Sequence, residues 1–215
     1  MMGERLGGEA TLWRGDAPLI LASKSKIRRV LLAAAALDAQ VIAPVFDERK
    51  FESEYLAAGE QLSELASAIA RAKALAASAM APQAFCLAAD QTLTVEGRVL
   101  HKPADLQEAS DNLAVLAGKT HRLTSAFSVA RSGRTLVVDA DYADLHMRQL
   151  SAQEISGYLE FCGARVLSSV GAYQIESVGV HLFEWVRGDH ATVLGLPIQK
   201  LSAWLRSSGL ISLIG

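Results

Sequence analysis

The segment FCLAADQTLTVEGRVLHKPAD, residues 85–105, determines the fold that we predict for this chain. Residues 84–95 are rich in apolar and β-branched side chains, which is typical of a buried strand, and residues 96–98 (Glu-Gly-Arg) indicate a tight hairpin turn after it. The strand nevertheless carries a carboxylate, Asp90. Because an unpaired buried carboxylate is costly to remove from water, Asp90 requires a cation, a metal ion or a solvent-lined cleft beside it. The alternative is a structural aspartate whose oxygens accept hydrogen bonds from backbone amides.

Helical and strand patterns alternate on both sides of this segment. Periodic apolar residues predict helices at 24–37, 60–80, 104–118, 151–161 and 196–209. Short apolar and β-branched runs predict further strands at 18–23, 40–46, 121–131, 134–148 and 179–188. Alternating helices and strands, with hairpins in the second half, favour an α/β fold with a mixed β-sheet flanked by helices.

The chain shows no internal repeat and no linker that would divide it, so we predict one domain at residues 18–215. Residues 1–17 are rich in glycine, lack a periodic pattern and are predicted to form a loose N-terminal extension. They contain neither the apolar core of a signal peptide nor a twin arginine. No apolar run reaches the about 18 residues that a membrane-spanning helix needs. We therefore expect a cytoplasmic protein that does not contact a membrane.

The composition is that of a soluble globular protein. The chain has 215 residues, of which 51% are hydrophobic and 20% are charged, and its formal net charge is −2. This balance gives no electrostatic basis for nucleic-acid binding, so we expect a bound phosphate to belong to a small ligand in a local basic site. Cys86 and Cys162 lie far apart without metal-binding spacing and are expected to be buried free thiols.

The junction between the first predicted strand and the first predicted helix, LASKSKIRR at residues 21–29, is strongly basic. A helix N-terminus binds anions through its free N–H groups and its dipole, whereas cations there are unfavourable unless an anion compensates them. The junction therefore favours an anion site, and the alternative is a solvated basic turn. It is not a P-loop, because the glycines of that motif are missing from the sequence.

Charged residues elsewhere add to this pattern. Lys73 continues the apolar stripe of the helix predicted at 60–80, so its side chain either reaches outward or meets a buried anion. Asp47 and Glu48 are predicted in a loop after a strand, and Lys102 follows the hairpin. Carboxylates in such loops can share one Mg²⁺ ion, and the lysines can balance a triphosphate. The combination favours cleavage of a phosphoanhydride, in which a carboxylate activates the attacking water.

These pieces occur in an order that resembles the Maf family of nucleoside triphosphate pyrophosphatases. Five blocks carry the likeness, from about residue 19 to the closing helix: LILASKSKIRRVLL, FDE, ARAKA, AADQTLTVEGRVLHKP and SVGAYQIESVGVHLFEWVRGDHATVLGLP. The resemblance implies a single α/β domain with an elongated mixed sheet and two lobes around a nucleotide cleft. It also implies dependence on Mg²⁺ or Mn²⁺ and frequent homodimers. The implied reaction converts a nucleoside triphosphate and water into a nucleoside monophosphate and pyrophosphate.

The resemblance also assigns roles to residues of this sequence. Asp90 corresponds to the proton acceptor for the attacking water, and Glu48 with Asp90 corresponds to the acidic positions at the metal. The positions that hold phosphate correspond to Ser23, Arg28, Lys73 and Lys102. The positions that select the base correspond to Ile27, Gln91 and Glu176.

Gln91 and Glu176 match the branch of the family that resembles 7-methyl-GTP enzymes, whereas the dTTP/UTP branch typically has Thr and Gln there. A carboxylate such as Glu176 can accept hydrogen bonds from N1–H and the amine of guanine, and it suits a cationic methylated base. We therefore expect a pool-cleaning enzyme that acts on 7-methyl-GTP or another modified nucleotide. Lys26, Ile27 and Ser125 depart from the usual family residues. The alternatives are a dTTP/UTP or broad NTP enzyme of the same fold, and a weakly catalytic nucleotide-binding regulator of cell division.

Overall fold

A computed structural model describes residues 11–213 of the chain, and within them the strands form one mixed sheet of seven strands. The strands are β1 (Leu19–Leu21), β2 (Ala39–Val41), β3 (Phe85–Val95), β4 (Arg98–Leu100), β5 (Thr120–Arg131), β6 (Arg134–Met147) and β7 (Phe183–Arg187). The order is β2-β1-β3-β5-β6-β7, with β4 pairing beside β3. β1 runs parallel to β2 and β3, and the remaining pairs are antiparallel. The predicted mixed α/β sheet is confirmed.

Seven α-helices surround the sheet within the described residues. They are α1 (Lys26–Ala34), α2 (Glu48–Ala57), α3 (Leu65–Met80), α4 (Leu106–Leu116), α5 (Ala152–Cys162), α6 (His190–Val193) and α7 (Ile198–Ser207). Most of them begin at a side chain that accepts a hydrogen bond from a free backbone N–H, such as Ser25 at α1 and Ser151 at α5. These caps fix the first turns, including the first turn of α1 in the basic junction.

The structure differs from the prediction between β2 and α3. The predicted strand at 40–46 is wrong beyond Val41, where β2 ends. Asp47 and Glu48 do not lie in a loop: Asp47 caps α2 by accepting a hydrogen bond from the Lys50 N–H at 3.0 Å, and Glu48 is the first residue of the helix. No residue of α2 is buried, so the helix has no apolar stripe that a periodic pattern could reveal.

The predicted strand at 179–188 is only partly correct. Residues Val178–Leu182 form a 3₁₀ turn, and β7 begins at Phe183. The four-residue helix α6 that follows β7 is too short to produce a periodic pattern in the sequence.

Two large apolar clusters share strands β3 and β5. One cluster includes Leu21, Leu32, Leu87, Phe127 and Leu201. The other includes Leu93, Leu113, Leu123, Leu145 and Leu159. Asp90 lies on β3 between Leu87 of the first cluster and Leu93 of the second, and therefore at the boundary between the two lobes.

Side chains of β3 alternate between the two faces of the sheet. Cys86 and Ala88 pack in an apolar cluster with Ala74 and Ala77 of α3, so Asp90, two residues further on, also faces α3. Gln91 lies on the opposite face, together with Leu87 and Ala89. One strand thus sends adjacent polar side chains to two different sets of partners.

Part of the predicted N-terminal extension, residues 1–10, lies outside the described residues. The part that the structure describes contacts the domain. Trp13 pairs with Ile211 in an isolated bridge, and its ring meets that of Phe85 edge-on with 5.3 Å between centroids.

Cys86 and Cys162 are buried free thiols, as predicted. In residues 11–213, none of the helices has the length and apolar character required to span a membrane.

Candidate active site

A cavity of about 900 Å³ lies at the boundary between the two apolar clusters. Nine residues have roles that the family resemblance assigns, and all of them line this cavity, although they come from six separate parts of the chain. They are Ser23, Ile27, Arg28, Glu48, Lys73, Asp90, Gln91, Lys102 and Glu176. The fold therefore brings every predicted site residue together at one cavity.

The cavity carries more cationic than acidic side chains. Its cations are Lys24, Lys26, Arg28, Arg49, Lys73, Lys102 and Arg165. Its acids are Glu48, Glu52, Asp90 and Glu176. This excess of positive charge suits a polyanionic ligand such as a triphosphate.

A buried lysine joins two carboxylates at the centre of the cavity. Lys73 Nζ lies 2.9 Å from Glu48 Oε1 and 3.2 Å from Asp90 Oδ1. Lys73 and Asp90 are 8% and 7% exposed, so this ion pair is nearly removed from solvent. The apolar stripe of α3 does continue into a lysine that meets a buried anion, and the cation that Asp90 requires is Lys73.

The pKa values of the two carboxylates are shifted in opposite directions. Burial raises the pKa of Asp90, and although Lys73 and Arg28 act in the opposite direction, the pKa stays above the ordinary value for aspartate. Burial also opposes ionisation of Glu48, but Lys73, Lys102 and Arg28 outweigh it and lower the pKa of that group. The site thus holds the pKa of Asp90 above its ordinary value and that of Glu48 below its ordinary value, and a raised pKa favours Asp90 as the group that accepts a proton from water.

Arg28 is held by protein carbonyl groups. Its Nε donates to the Gly195 oxygen at 2.7 Å, and its Nη1 donates to the Ala89 oxygen at 2.7 Å and to Ser23 Oγ at 3.3 Å. Because Ala89 precedes Asp90, Arg28 connects the start of α1 with the strand that carries the carboxylate. Ser23 and Arg28 stand at the cavity wall, and their role as phosphate ligands stays a prediction.

Gln91 also donates hydrogen bonds to protein groups. Its Nε2 lies 2.9 Å from Ser125 Oγ, 3.2 Å from the Thr192 oxygen and 2.9 Å from the Val193 oxygen. Ser125 Oγ in turn donates to the Thr192 oxygen at 2.7 Å. The hydrogen bonds of the Gln91 amide nitrogen thus all go to Ser125 and to the end of α6.

Lys102 and Glu176, like Glu48, are exposed. No residue within 11–213 forms a hydrogen bond or an ion pair with either side chain. Ile27 is half-buried on α1 and offers the cavity an apolar surface. These three side chains remain free to contact a ligand.

Sequence reasoning missed several residues that shape the cavity. His101 Nε2 lies 3.2 Å from Glu52 Oε1 and so connects the hairpin segment to α2. Burial lowers the pKa of His101, although Glu52 acts against this shift. Ser125 and Thr192 hold Gln91, and Gly195 supplies the carbonyl oxygen for Arg28. The partners of these contacts are distant in sequence, so no local pattern points to them.

The acidic pair has the donor chemistry that a divalent metal prefers. Mg²⁺ is usually bound by one or two carboxylates together with phosphate oxygens of a substrate, and Glu48 and Asp90 supply oxygens close to a single point, Lys73 Nζ. Within residues 11–213, no group of three or more His, Cys, Asp or Glu side chains could hold a metal by itself. The pair therefore fits a metal that a bound phosphate helps to hold.

Comparisons with known proteins agree with the geometry. The model of the Maf-like protein family matches residues 18–208. A nucleoside triphosphate pyrophosphatase of Bradyrhizobium diazoefficiens is 45% identical over 94% of this chain and 98% of its own length. A nucleoside triphosphate pyrophosphatase of Nitrobacter winogradskyi is 43% identical over 94% of this chain and 99% of its own length. A 7-methyl-GTP pyrophosphatase of Rhizobium etli is 42% identical over 90% of this chain and 97% of its own length.

Proposed function

Since the chain belongs to the Maf family, we propose that it is a nucleoside triphosphate pyrophosphatase, which converts a nucleoside triphosphate and water into a nucleoside monophosphate and pyrophosphate. One observation carries this proposal: Asp90, a buried carboxylate with a raised pKa, lies beside Lys73 in a cavity with excess positive charge. Curated relatives with the name nucleoside triphosphate pyrophosphatase support it.

In the proposed mechanism, the triphosphate binds where cations line the cavity, and Lys102 and Lys73 balance its charge. Asp90 accepts a proton from water as the water oxygen attacks the α-phosphorus. The bond between the α-phosphorus and the bridging oxygen breaks, and pyrophosphate leaves with the bond electrons. Lys73 keeps Asp90 oriented through the hydrogen bond to Oδ1.

We also propose that Mg²⁺ or Mn²⁺ takes part, held by Glu48 and Asp90 together with phosphate oxygens. When bound, such an ion neutralises charge that develops on the phosphate oxygens. The oxygen donors of the two carboxylates support this proposal, because hard divalent cations prefer them.

For the base, we propose a guanine nucleotide, with 7-methyl-GTP as the first candidate. Glu176 is a carboxylate at the cavity that no residue within 11–213 pairs with, and it suits a cationic 7-methylguanine that also carries N–H donors. The relative from Rhizobium etli, named 7-methyl-GTP pyrophosphatase, supports this choice.

The test is a screen for pyrophosphate release from ATP, GTP, CTP, UTP, dTTP and 7-methyl-GTP, with Mg²⁺ and with Mn²⁺. We expect turnover that requires the metal and is fastest with 7-methyl-GTP. The variant Asp90→Asn should bind nucleotide but lose about two to four orders of magnitude in kcat, which is the usual contribution of a general base. Wild-type turnover in Asp90→Asn would disprove the role of Asp90, and a preference for UTP or dTTP would disprove the base assignment.

A further inference from the structure

The side-chain amide of Gln91 has a fixed polarity. Its Nε2 has two hydrogens and three acceptors, two of which are the backbone oxygens of Thr192 and Val193. If the amide were turned over, Oε1 would face these two oxygens at about 3 Å, where three acceptors repel one another. The nitrogen must therefore point at the end of α6, and the oxygen must point away from it.

Ser125 reinforces this polarity. Its hydroxyl is completely buried and donates its hydrogen to the Thr192 oxygen, so its oxygen is left to accept from Gln91 Nε2. A hydroxyl that has already given its hydrogen cannot donate to a turned amide oxygen.

The acceptors themselves are held in place. Thr192 Oγ1 donates to Asp141 Oδ2 at 3.0 Å, and the Thr192 N–H donates to Asp189 Oδ1 at 3.1 Å. Arg28 holds the next turn of the chain through the Gly195 oxygen. The backbone that receives the amide of Gln91 is thus fixed from three sides.

Gln91 Oε1 is the free end of this network. No residue within 11–213 donates a hydrogen bond to it, it is not enclosed by protein, and Gln91 lines the cavity. The carboxylate of Glu176 lines the same cavity and is a further hydrogen-bond acceptor. The N1–H and the 2-amino group of guanine are donors that such acceptors can bind.

We propose that Ser125 is a positioning residue that fixes the side-chain amide of Gln91 with its oxygen toward the cavity, so that this position accepts a hydrogen bond from a base and does not donate one. The inference rests on the proposed function, since it takes a nucleotide as the ligand of the cavity. It goes further in naming the acceptor polarity of the site and the residue that sets it. Uracil and thymine present one N–H between two carbonyl groups, so they place acceptors against the acceptors of this site.

The experiment measures binding without turnover. The probes are the α,β-methylene analogues of GTP, ITP and 1-methyl-GTP, which lack the cleavable oxygen bridge. ITP has no 2-amino group, and 1-methyl-GTP has no N1–H. Dissociation constants are measured by calorimetry for the wild type and for Gln91→Leu, Ser125→Ala and Ser125→Thr.

We expect the wild type to bind the GTP analogue about tenfold more tightly than at least one of the other two, as one hydrogen bond to a buried partner allows. Gln91→Leu should reduce this preference to the part that Glu176 supplies, and Ser125→Ala should reduce it by about three- to fivefold. Ser125→Thr keeps the hydroxyl and should keep the preference. If Ser125 had a merely structural role, Ser125→Ala would weaken the binding of all three probes equally and leave the ratios of their dissociation constants unchanged.

Two outcomes would overturn the inference: equal binding of the three probes by the wild type, or an unchanged preference in Gln91→Leu. If Ser125→Ala does not fold, Gln91→Leu and Ser125→Thr still decide it. The proposed function fails in a different way, through the absence of pyrophosphate release from any natural nucleotide. Selective binding without release would thus reject the activity and support the inference.

Discussion

Asp90 is a buried carboxylate whose ionisation is governed by its neighbours. Burial raises its pKa, Lys73 and Arg28 lower it, and Glu48 raises it again. The net result is a pKa above 3.8, the ordinary value for aspartate. A general base must be deprotonated to act, so kcat/KM should rise with pH as Asp90 loses its proton. Each neighbour of Asp90 thereby influences the pH range of the reaction.

The variant Lys73→Met tests this arrangement. It removes a cation that favours the ionised form of Asp90, so the pKa of Asp90 should rise and the acid limb of the pH profile should move to higher pH. The measurement is kcat/KM as a function of pH for wild type and variant.

Lys24→Met is the matched control for this prediction. It also removes a cation that lines the cavity, but Lys24 is exposed and is not among the groups that shift the pKa of Asp90. This control variant should weaken nucleotide binding without moving the acid limb of the pH profile. An acid limb that stays in place in Lys73→Met, or moves to lower pH, would contradict the coupling between Lys73 and Asp90.

At the scale of elements, the end of α6 and the turn after it position two side chains of the cavity. The backbone oxygens of Thr192 and Val193 in α6 and of Gly195 after it accept hydrogen bonds from Gln91 and Arg28. Gly195 adopts a φ of +95°, which is in the region that favours glycine. A short helix and one glycine therefore determine where two functional side chains point.

Gly195→Ala should impair both stability and nucleotide binding. A Cβ atom there would lie 3.3 Å from Arg28 Nη2, and the left-handed backbone costs an L residue about 1–2 kcal/mol. Because Arg28 must shift, we expect KM for the nucleotide to rise several-fold. Chemical denaturation and steady-state kinetics measure the two effects.

Gly59→Ala is the control with the same backbone cost. Gly59 has a φ of +79°, and a Cβ atom there meets nothing within 4 Å. This variant should lose similar free energy of unfolding and keep the wild-type KM. If Gly195→Ala also kept the wild-type KM, the contact between Gly195 and Arg28 would not contribute to nucleotide binding.

The elements also show which parts of the site were predictable from sequence. Lys73 could be found because it interrupts an apolar stripe, and Asp90 because it ends an apolar run. Ser125 and Thr192 could not be found in this way, since they lie 34 and 101 residues from Gln91, and their contacts depend on how β5 and α6 pack. α2 was missed for a different reason, because it buries no residue and so has no apolar period.

At the scale of the whole molecule, overall charge and local charge have opposite signs. The chain has a formal net charge of −2, whereas seven cations and four acids line the cavity. A cavity lined mostly by one sign of charge concentrates oppositely charged ligands, although the protein as a whole repels them weakly. Exposed cations such as Lys24 and Lys26 contribute to this field through solvent.

The field should make nucleotide binding sensitive to salt. Between about 0.1 M and 1 M KCl the Debye length falls from about 10 Å to about 3 Å, so the attraction between exposed cations and the triphosphate is screened. We expect KM to rise several-fold over this range, while kcat changes little because Lys73 and Asp90 are buried. Steady-state kinetics at each salt concentration measure both quantities, and a KM that is independent of salt would contradict the role of the exposed cations.

The helix α2 has a consequence for how the cavity opens. None of its residues is buried. It is held by the contacts of Glu48 with Lys73 and of Glu52 with His101, and by the tilted ring contact of Phe51 with Phe46. An element with so few apolar contacts belongs to the part of a protein with the lowest free energy of local unfolding. Asp90, in contrast, lies on the central strand β3, and central strands belong to the part of a protein with the highest free energy of local unfolding. Of the two carboxylates, Glu48 thus lies on the element that unfolds more readily and Asp90 on the one that unfolds less readily, so a local opening of α2 would move Glu48 away from the cavity without moving Asp90.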